Sequence, residues 1–259
     1  MVDTSLAGLG VLVTRPRRQA DELVAAIQAH GGTAIRFPAL VIEERTTAAI
    51  REDLAALDDP DIVIFVSPNA VHCGLQYAGD ALIAAIGPST AAAIEAVGRS
   101  VDIVSASGYN SEHLLAEPAF KEVGGKTVRI IRGQAGRKLL ADTLRSRGAN
   151  VSFLAVYERM MPEYSDGDIA ALEAVLQEEA VDITTIMSAE SLRNLVAILP
   201  QSCRDHLVET RLVTPAERVI KEALDLLPGI PTTLAQGPQV DDMIRAMLEH
   251  GSNAPGKAS

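Results

Sequence analysis

The stretch VLVTRPRRQADELVAAIQAHGGTAIRF, from Val11 to Phe37, decides the fold. It reads as a short apolar strand, an amphipathic helix and a second short strand, which together form the basic unit of a parallel sheet. About 117 residues later the pattern returns as VRIIRGQAGRKLLADTLRSRGANVSFL, from Val128 to Leu154, with Arg132 in the place of Arg15. The repeat predicts two similar α/β halves, and proteins built in this way usually bind their ligand in the cleft between the halves.

The remainder of the repeat follows in the same order. DIVIFVSPNAV (61–71) matches DITTIMSAESL (182–192), and IAAIGPSTAAAIEAVG (83–98) matches RLVTPAERVIKEALDLL (211–227). Short apolar runs alternate with helical stretches throughout, which is typical of doubly wound parallel sheets. The ten predicted strands, five in each half, are residues 11–14, 34–37, 62–66, 83–86, 101–104, 128–131, 151–154, 183–187, 211–213 and 232–234.

The first helix shows the pattern most clearly. Its apolar residues Ala20, Leu23, Val24 and Ile27 follow the spacing of a buried helix face. The pair Gly31-Gly32 comes directly afterwards, where a left-handed cap favours glycine. This segment is therefore predicted to be an amphipathic helix that ends just before Gly31.

Composition restricts the classes of function. Hydrophobic residues are 47% of the 259, aromatic residues only 3%, and Trp is absent, so the core is expected to be aliphatic. The net charge of −11 disfavours binding to nucleic acid or to an anionic membrane surface. No apolar run approaches the ~20 residues of a membrane helix, and the N-terminus has no signal-peptide pattern. We expect a cytoplasmic protein with no membrane or nucleic-acid partner.

The sequence shows no metal-binding pattern. Cys73 and Cys203 have no nearby partner cysteine, and the five histidines are scattered without HExxH or HxH spacing. No metal site is predicted, and the two cysteines are expected to be structural or incidental.

The repeat allows two divisions into domains. A single cut near KEVGGKT (121–127) gives two contiguous halves. Alternatively, PALVIEE (38–44) and AVYERM (155–160), which each follow the second strand of a repeat unit, are paired crossings, and one domain is nested within the other. The residues themselves leave this choice open.

Seven segments, taken in order, resemble the uroporphyrinogen-III synthase family over nearly the whole chain. They are VLVTRP (11–16), FVSPNAV (65–71), AIGPSTAAAI (85–94), GYNSEHLL (108–115), RGQAGRKLLADTLRSRGA (132–149), VYER (156–159) and MSAESLRNL (187–195). The resemblance implies two flavodoxin-like parallel-sheet domains joined by a two-stranded linker, with the active-site cleft between them. Residues 1–37 with 161–259 would form one domain and residues 38–160 the nested one. Independently of the resemblance, the polar end GSNAPGKAS (251–259) is expected to be a disordered tail.

The resemblance also implies an activity. The family is a lyase that converts hydroxymethylbilane, a linear tetrapyrrole with acetate and propionate groups, to uroporphyrinogen III with loss of water. Loss of the hydroxymethyl OH gives an azafulvene-like cation, a spiro intermediate follows, and re-closure leaves the last ring inverted. The family needs no cofactor and commonly acts as a monomer.

Arginines follow the first strand of each repeat unit, and they suit a substrate with many carboxylates. Arg15, Arg17 and Arg18 cluster after one strand, and Arg132 with Arg137-Lys138 after the other. The carboxyl ends of parallel strands open onto the ligand crevice, so Arg15 and Arg132 are candidate substrate-binding residues. The other interpretation, solvated surface charge, stays open for each arginine.

Loops with small hydroxyl and amide residues precede several helices, where backbone N–H groups can bind carboxylates. The same residues are also good helix caps, and Ser67, Ser111 and Ser188 are expected to act as caps. The candidate substrate-binding residues in these loops are Ser67, Asn69, Ala70, Gly87, Ser89, Thr90, Asn110, Ser111, Glu112, Gly133, Ser188 and Ser191.

Tyr157, in VYER, matches the tyrosine that the family is proposed to use as an acid. A phenol is protonated at neutral pH and can assist a departing hydroxyl; simple packing in the linker is the alternative.

One loop departs from the family, because Ala216 and Glu217 stand where some members have paired threonines. That departure supports a second interpretation, a non-catalytic tetrapyrrole-binding or regulatory protein. A two-lobed periplasmic-type binder is disfavoured by the absent signal peptide.

Overall fold

The computed structural model describes residues 5–105, 108, 110–136, 138–178 and 180–251. The chain divides into two compact units, residues 1–41 with 160–259 and residues 42–159. It passes from the first unit to the second after Val41 and returns after Arg159. The predicted disordered tail lies outside the described residues apart from Gly251, which ends the last helix.

The first unit contains a five-stranded parallel sheet with helices on both faces. Its strands are β1 (Gly10–Val13), β2 (Thr33–Arg36), β9 (Ile183–Thr185), β10 (Arg211–Thr214) and β11 (Thr232–Leu234). Its helices are α1 (Arg17–Ala29), α8 (Asp166–Gln177), α9 (Ala189–Ile198), α10 (Gln201–Leu207), α11 (Glu217–Leu226) and α12 (Val240–Gly251). α1 and α12 cover one face of the sheet and the other four helices cover the opposite face.

The second unit repeats this three-layer arrangement around a six-stranded sheet. Its strands are β3 (Val41–Glu44), β4 (Ile62–Phe65), β5 (Leu82–Ala85), β6 (Ile103–Val104), β7 (Thr127–Gly133) and β8 (Asn150–Met160). Its helices are α2 (Thr47–Ala55), α3 (Pro68–Gly74), α4 (Pro88–Glu95), α5 (Ser111–Ala116), α6 (Pro118–Lys121) and α7 (Leu139–Ser146). The core clusters on the two sheet faces are built from α2, α3 and α4 and from α5, α6 and α7.

Both sheets have the same order when their strands are matched by the sequence repeat. The first runs β2-β1-β9-β10-β11, which is the flavodoxin-like order 2-1-3-4-5. The second runs β8-β7-β4-β5-β6, with β3 added beyond β8. In the second unit the strands that correspond to β1 and β2 come last along the chain, so its order is a circular permutation of the first.

The sequence pattern predicts the elements better than their lengths. All ten predicted strands are present, and the α1 residues Ala20, Leu23, Val24 and Ile27 are buried. Gly31 has a φ of 84°, the left-handed conformation expected after α1. The count of ten strands is wrong, because β3 is an eleventh strand and β8 continues to Met160. The two segments predicted to cross between domains are therefore β3 and the end of β8, which are neighbours in the second sheet.

The strand pairing follows the nested division. β1 pairs with β9, with Val11 opposite Ile183, and β4 belongs to the other sheet. A contiguous first half would have placed β1 and β4 in one sheet.

Candidate functional site

Each sheet has a topological switch point, where the strand order reverses. In flavodoxin-like sheets, ligands bind at the carboxyl ends of the strands that flank this point. The flanking strands are β1 and β9 in the first unit and β7 and β4 in the second. Several of the predicted site residues follow these four strands, so the topology brings them to the carboxyl edge of each sheet.

In the second unit, the switch point brings Ser67 and Tyr157 together. Ser67 follows β4 and caps α3, because its Oγ accepts a hydrogen bond from the Ala70 backbone N–H at 3.1 Å. Tyr157 lies in β8, and its Oη is 3.3 Å from the same Ser67 Oγ. The two hydroxyls are ninety residues apart in sequence, and no local pattern links them.

The Tyr157 ring packs against the backbone of β7. A Cβ added at Gly133 would lie 2.7 Å from Tyr157 Cε2 and 2.9 Å from Cζ, so only glycine permits this approach. The Gln134 N–H donates to the Tyr157 carbonyl at 3.0 Å, which fixes the backbone beside the ring. Tyr157 is 2% exposed and belongs to the apolar cluster that also includes Ile131 and Val156.

Arg132 is a nearly buried cation at the same edge. Its Nε donates to the Gly133 carbonyl at 3.1 Å, and its guanidinium carbon lies 4.9 Å from the Phe153 ring centroid. A Cβ at Gly136 would meet Nη2, so glycine leaves room for the guanidinium. Burial lowers the pKa of Arg132 from its usual value; the charge interaction with Tyr157 opposes this shift and Arg159 adds to it.

In the first unit, Arg15 occupies the corresponding place but has different contacts. Its Nη2 donates to the Pro238 carbonyl at 2.7 Å, which ties the end of β1 to the loop before α12. Its Nε has no hydrogen-bond partner in the described part of the chain. Burial lowers the pKa of Arg15, and Glu22 opposes the shift.

The hydroxyls of the first unit's switch point are paired with each other or with backbone. Ser188 caps α9, accepting from the Ser191 N–H at 3.1 Å, and its Oγ lies 2.9 Å from the Ser191 Oγ. The Thr14 hydroxyl donates to the Thr185 carbonyl at 2.6 Å, while the Thr185 hydroxyl donates to the Leu12 carbonyl. The side-chain hydroxyls here therefore bind the strands and α9 together.

The other predicted site residues also stand at helix starts. Gly87 is the N-cap residue of α4, Ser89 is exposed in its first turn, and Thr90 is buried. The expected cap at Ser111 is wrong. Asn110 caps α5 instead, because its Oδ1 accepts from the His113 N–H at 3.0 Å, and Ser111 is the first helical residue.

Asn69 is half-buried in the first turn of α3, Glu112 is exposed in the first turn of α5, and Arg137 lies outside the described residues. In the loop whose sequence differs from the family pattern, Ala216 is the N-cap residue of α11 and provides no side-chain cap.

Sequence reasoning missed the groups that hold the two arginines. Phe153 contacts Arg132 because β8 pairs with β7, with Ala155 opposite Arg132, so side chains two residues away on β8 reach it. That register is not visible in the sequence. The contact of Arg15 with Pro238 is made to a backbone carbonyl, so no side chain in the sequence predicts it, although the nearby Gly237 indicates a loop.

A second tyrosine lies beside a pocket of about 300 Å³ in the first unit. The Tyr164 Oη donates to the Pro38 carbonyl at 2.8 Å, and its ring stacks on Phe37 with centroids 4.1 Å apart. Burial raises the pKa of Tyr164 to about 12, with Arg17 opposing and Asp168 adding to the shift. The hydrogen bond to Pro38 and the stacking on Phe37 are both made within the first unit, which is typical of a structural tyrosine.

Two general features of the described residues bear on the kind of site. Among them, no group of three His, Cys, Asp or Glu side chains is placed to hold a metal ion. No helix in the described part of the chain is long and apolar enough to cross a membrane.

Comparison with known proteins agrees with the resemblance. A family model described as Uroporphyrinogen-III synthase HemD matches residues 21–245. The uroporphyrinogen-III synthase of Escherichia coli (strain K12) is 32% identical over 232 residues, covering 84% of this chain and 92% of that protein. The enzyme of the same name from Salmonella typhimurium is 33% identical over 230 residues, with 84% and 92% covered.

Solved structures show the same fold. Uroporphyrinogen-III synthetase from Helicobacter pylori has a TM-score of 0.63 at 14% identity, with 93% of this chain and 99% of that chain covered. A mutant uroporphyrinogen III synthase from the extremely thermophilic bacterium Thermus thermophilus has a TM-score of 0.59 at 19% identity, with 95% and 100% covered.

Proposed function

The chain belongs to the uroporphyrinogen-III synthase family, and on that premise we propose that it cyclises hydroxymethylbilane to uroporphyrinogen III with loss of water and inversion of the last ring. The observation that carries the proposal is the family match over residues 21–245. The arrangement of cationic and hydroxyl groups at the carboxyl edges of the two sheets supports it.

Arg15 and Arg132 are proposed to bind substrate carboxylates. Arg15 follows β1 and Arg132 lies near the carboxyl end of β7, at the edge where flavodoxin-like sheets bind ligands. A charge-assisted hydrogen bond from a guanidinium to a carboxylate is among the stronger polar contacts in proteins. Two such cations let an acidic protein hold a polyanionic substrate locally, despite its net charge of −11.

Residues at helix starts, together with Gly133 at the end of β7, are proposed to add weaker contacts through hydroxyl, amide and backbone N–H groups. They are Ser67, Asn69, Ala70, Gly87, Ser89, Thr90, Asn110, Ser111, Glu112, Gly133, Ser188 and Ser191. What supports them is their place at the carboxyl edges, where unpaired N–H groups of helix starts favour anions. Contacts of this kind mainly orient a flexible chain, which is the principal task in this reaction.

Tyr157 is proposed as the source of the proton for the departing hydroxyl. The hydroxyl of the hydroxymethyl group leaves most readily as water, so a proton donor is needed when the C–O bond breaks. Tyr157 is a phenol at the switch point of the second unit, beside a serine hydroxyl and a cation. The monomeric state implied by the resemblance and the cytoplasmic location expected from the sequence pattern are part of the same proposal.

The test is the product formed from hydroxymethylbilane by the purified protein. Uncatalysed closure of this substrate gives isomer I, whereas the proposed activity gives isomer III, and the two isomers can be separated chromatographically. We expect isomer III to predominate and its rate of formation to increase in proportion to protein concentration. A product that stays isomer I, together with tight tetrapyrrole binding, would support the non-catalytic alternative instead.

A further inference from the structure

The Tyr157 phenol is buried. The residue is 2% exposed, its ring lies against Gly133, and a Cβ at that position would come within 3 Å of two ring atoms. On the other side it packs in the apolar cluster with Val71 and Val156. A phenol held in this way presents almost no surface to a substrate as large as a tetrapyrrole.

Ser67 stands at the edge in front of it. Its side chain is half-buried, and its Oγ receives the Ala70 N–H at 3.1 Å. A hydroxyl carries one proton and two acceptor lone pairs. One lone pair accepts from Ala70, and either hydroxyl can donate in the 3.3 Å contact between Ser67 Oγ and Tyr157 Oη. When Tyr157 donates, the Ser67 proton is available to a third partner.

We propose that Ser67 is the hydroxyl that protonates the departing group of the substrate, and that Tyr157 acts through Ser67 by replacing the proton that Ser67 gives up. The proposal rests on the proposed function and adds a residue to it. Ser67 becomes the catalytic residue, and Tyr157 becomes a positioning residue and proton source behind it.

The proton transfers balance. The substrate C–O bond breaks with its electron pair staying on oxygen, and that oxygen takes the Ser67 proton to become water. Ser67 takes the Tyr157 proton, which leaves a phenolate. Ring closure later releases one proton from the cationic tetrapyrrole, and its return through Ser67 restores the phenol. The phenolate would form beside the Arg132 cation, whose charge interacts with Tyr157.

The first unit shows the same serine without the relay. Ser188 matches Ser67 in the repeat and caps its helix at the same 3.1 Å, but its Oγ pairs with the Ser191 hydroxyl. Ala70 stands in the place of Ser191 in the second unit, and it has no hydroxyl to offer. The Ser67 hydroxyl is therefore in contact with the Tyr157 hydroxyl, whereas the Ser188 hydroxyl is in contact with the hydroxyl of Ser191.

The test is a double-mutant cycle of Ser67→Ala, Tyr157→Phe and the double variant, measured in single turnovers as formation of isomer III. Each single variant should be slower by about 100-fold. Because the two groups act in series, the double variant should be no more than a few-fold slower than the slower single variant. Independent roles would instead multiply to about 10⁴-fold, and that result would overturn the proposal.

A proton inventory separates proton transfer from a structural role. In mixtures of H₂O and D₂O, the wild-type rate should fall along a curve because two protons move together. The Tyr157→Phe variant should give a straight line. A straight line for the wild type would contradict the relay.

Two further variants control for folding. Ser67→Thr keeps a hydroxyl and the helix cap, so it should restore most of the rate lost in Ser67→Ala. Thr46→Ala removes the cap of α2 in the same unit, where the Ala49 N–H donates to Thr46 Oγ1 at 3.3 Å, and it should leave the rate unchanged. A Ser67→Ala rate equal to wild type overturns the relay alone, whereas a wild type that yields only isomer I overturns the proposed function as well.

Discussion

At the end of the first strand of the repeat, the first unit has Arg15-Pro16 and the second has Arg132-Gly133. Pro16 has a φ of −49° and precedes α1 directly, so the chain turns into a helix at once. Gly133 instead extends β7 and lets the Tyr157 ring lie on the backbone. The tyrosine's counterpart in the first unit, at the same offset in the repeat, is Leu40. One residue after the arginine thus accompanies the difference between an edge that has a tyrosine and an edge that has a leucine in its place.

The two arginines differ in the same way. Arg15 extends from β1 to a loop carbonyl, whereas Arg132 folds back on its own strand and stacks on Phe153. Arg15 therefore joins two segments of its unit, and Arg132 places a positive charge beside a phenol. A repeat preserves the position of a side chain more readily than its contacts.

The largest expected effect separates the two tyrosines. Tyr157→Phe should lower turnover by about 100-fold, because it removes the hydroxyl and keeps the packing of the ring. Tyr164→Phe is the matched control, and it should turn over at the wild-type rate because Tyr164 donates only to the Pro38 carbonyl. Steady-state kinetics and melting temperatures of both variants provide the measurement. Equal loss of activity in the two variants would assign both tyrosines to folding.

The arginines should give a smaller effect. Arg15→Ala and Arg132→Ala should each reduce kcat/KM by roughly 10- to 150-fold, the equivalent of about 1.5 to 3 kcal/mol for a charge-assisted contact. The exposed Arg51 is a control in which the same charge is lost elsewhere, and Arg51→Ala should be neutral. Added salt should also weaken the wild type, because screening reduces attraction between the arginines and carboxylates. Unchanged kinetics in either folded arginine variant would remove that arginine from the binding site.

Gly133→Ala tests the close approach that distinguishes the second edge. The new Cβ would lie 2.7 Å from Tyr157 Cε2, so the ring or β7 must shift at a cost of roughly 1 to 3 kcal/mol. Gly124→Ala is the comparison in the same unit, since its nearest atom would be the Arg147 carbonyl oxygen at 3.7 Å. Urea unfolding of both variants gives the difference in stability. If Gly133→Ala is as stable as wild type, the ring does not depend on that glycine.

The smallest effect concerns pH. Burial raises the pKa of Tyr164 to about 12, above the value of about 10 for a solvated phenol. The folded state therefore favours the neutral phenol, and this contribution to stability is fully present below about pH 10 and lost as the pH rises toward 12. The difference in unfolding free energy between wild type and Tyr164→Phe should narrow over that range. A constant difference from pH 8 to pH 11.5 would contradict the burial of this phenol.

The spacing of apolar residues along the sequence predicts which elements of the fold have a buried face. The α1 face and the apolar strands were predictable because their spacing records which side is covered. β3 was missed because VIEE is mostly exposed and forms a short edge strand, so it lacks the apolar run of a buried strand.

The candidate site depends on pairings that no local pattern records. Arg15, Arg132 and Tyr157 could be identified by the repeat and the family resemblance. The contact of Tyr157 with Ser67 depends on strand order, and that of Arg132 with Phe153 depends on strand register. Both are properties of the folded sheet, in which residues distant along the chain become neighbours.

Because the second unit is nested and circularly permuted, all of its strands are synthesised before the sheet of the first unit is complete. All strands of the nested unit have been made once the ribosome has passed Met160, so this unit can form on the nascent chain. β1 is made first and can pair with β2 early, but its other partner, β9, comes 172 residues later, where Val11 pairs with Ile183. Loop-closure entropy rises only slowly with length, but a pairing between such distant residues slows folding. The first strand to leave the ribosome thus joins a sheet that is completed only when β11 has been translated.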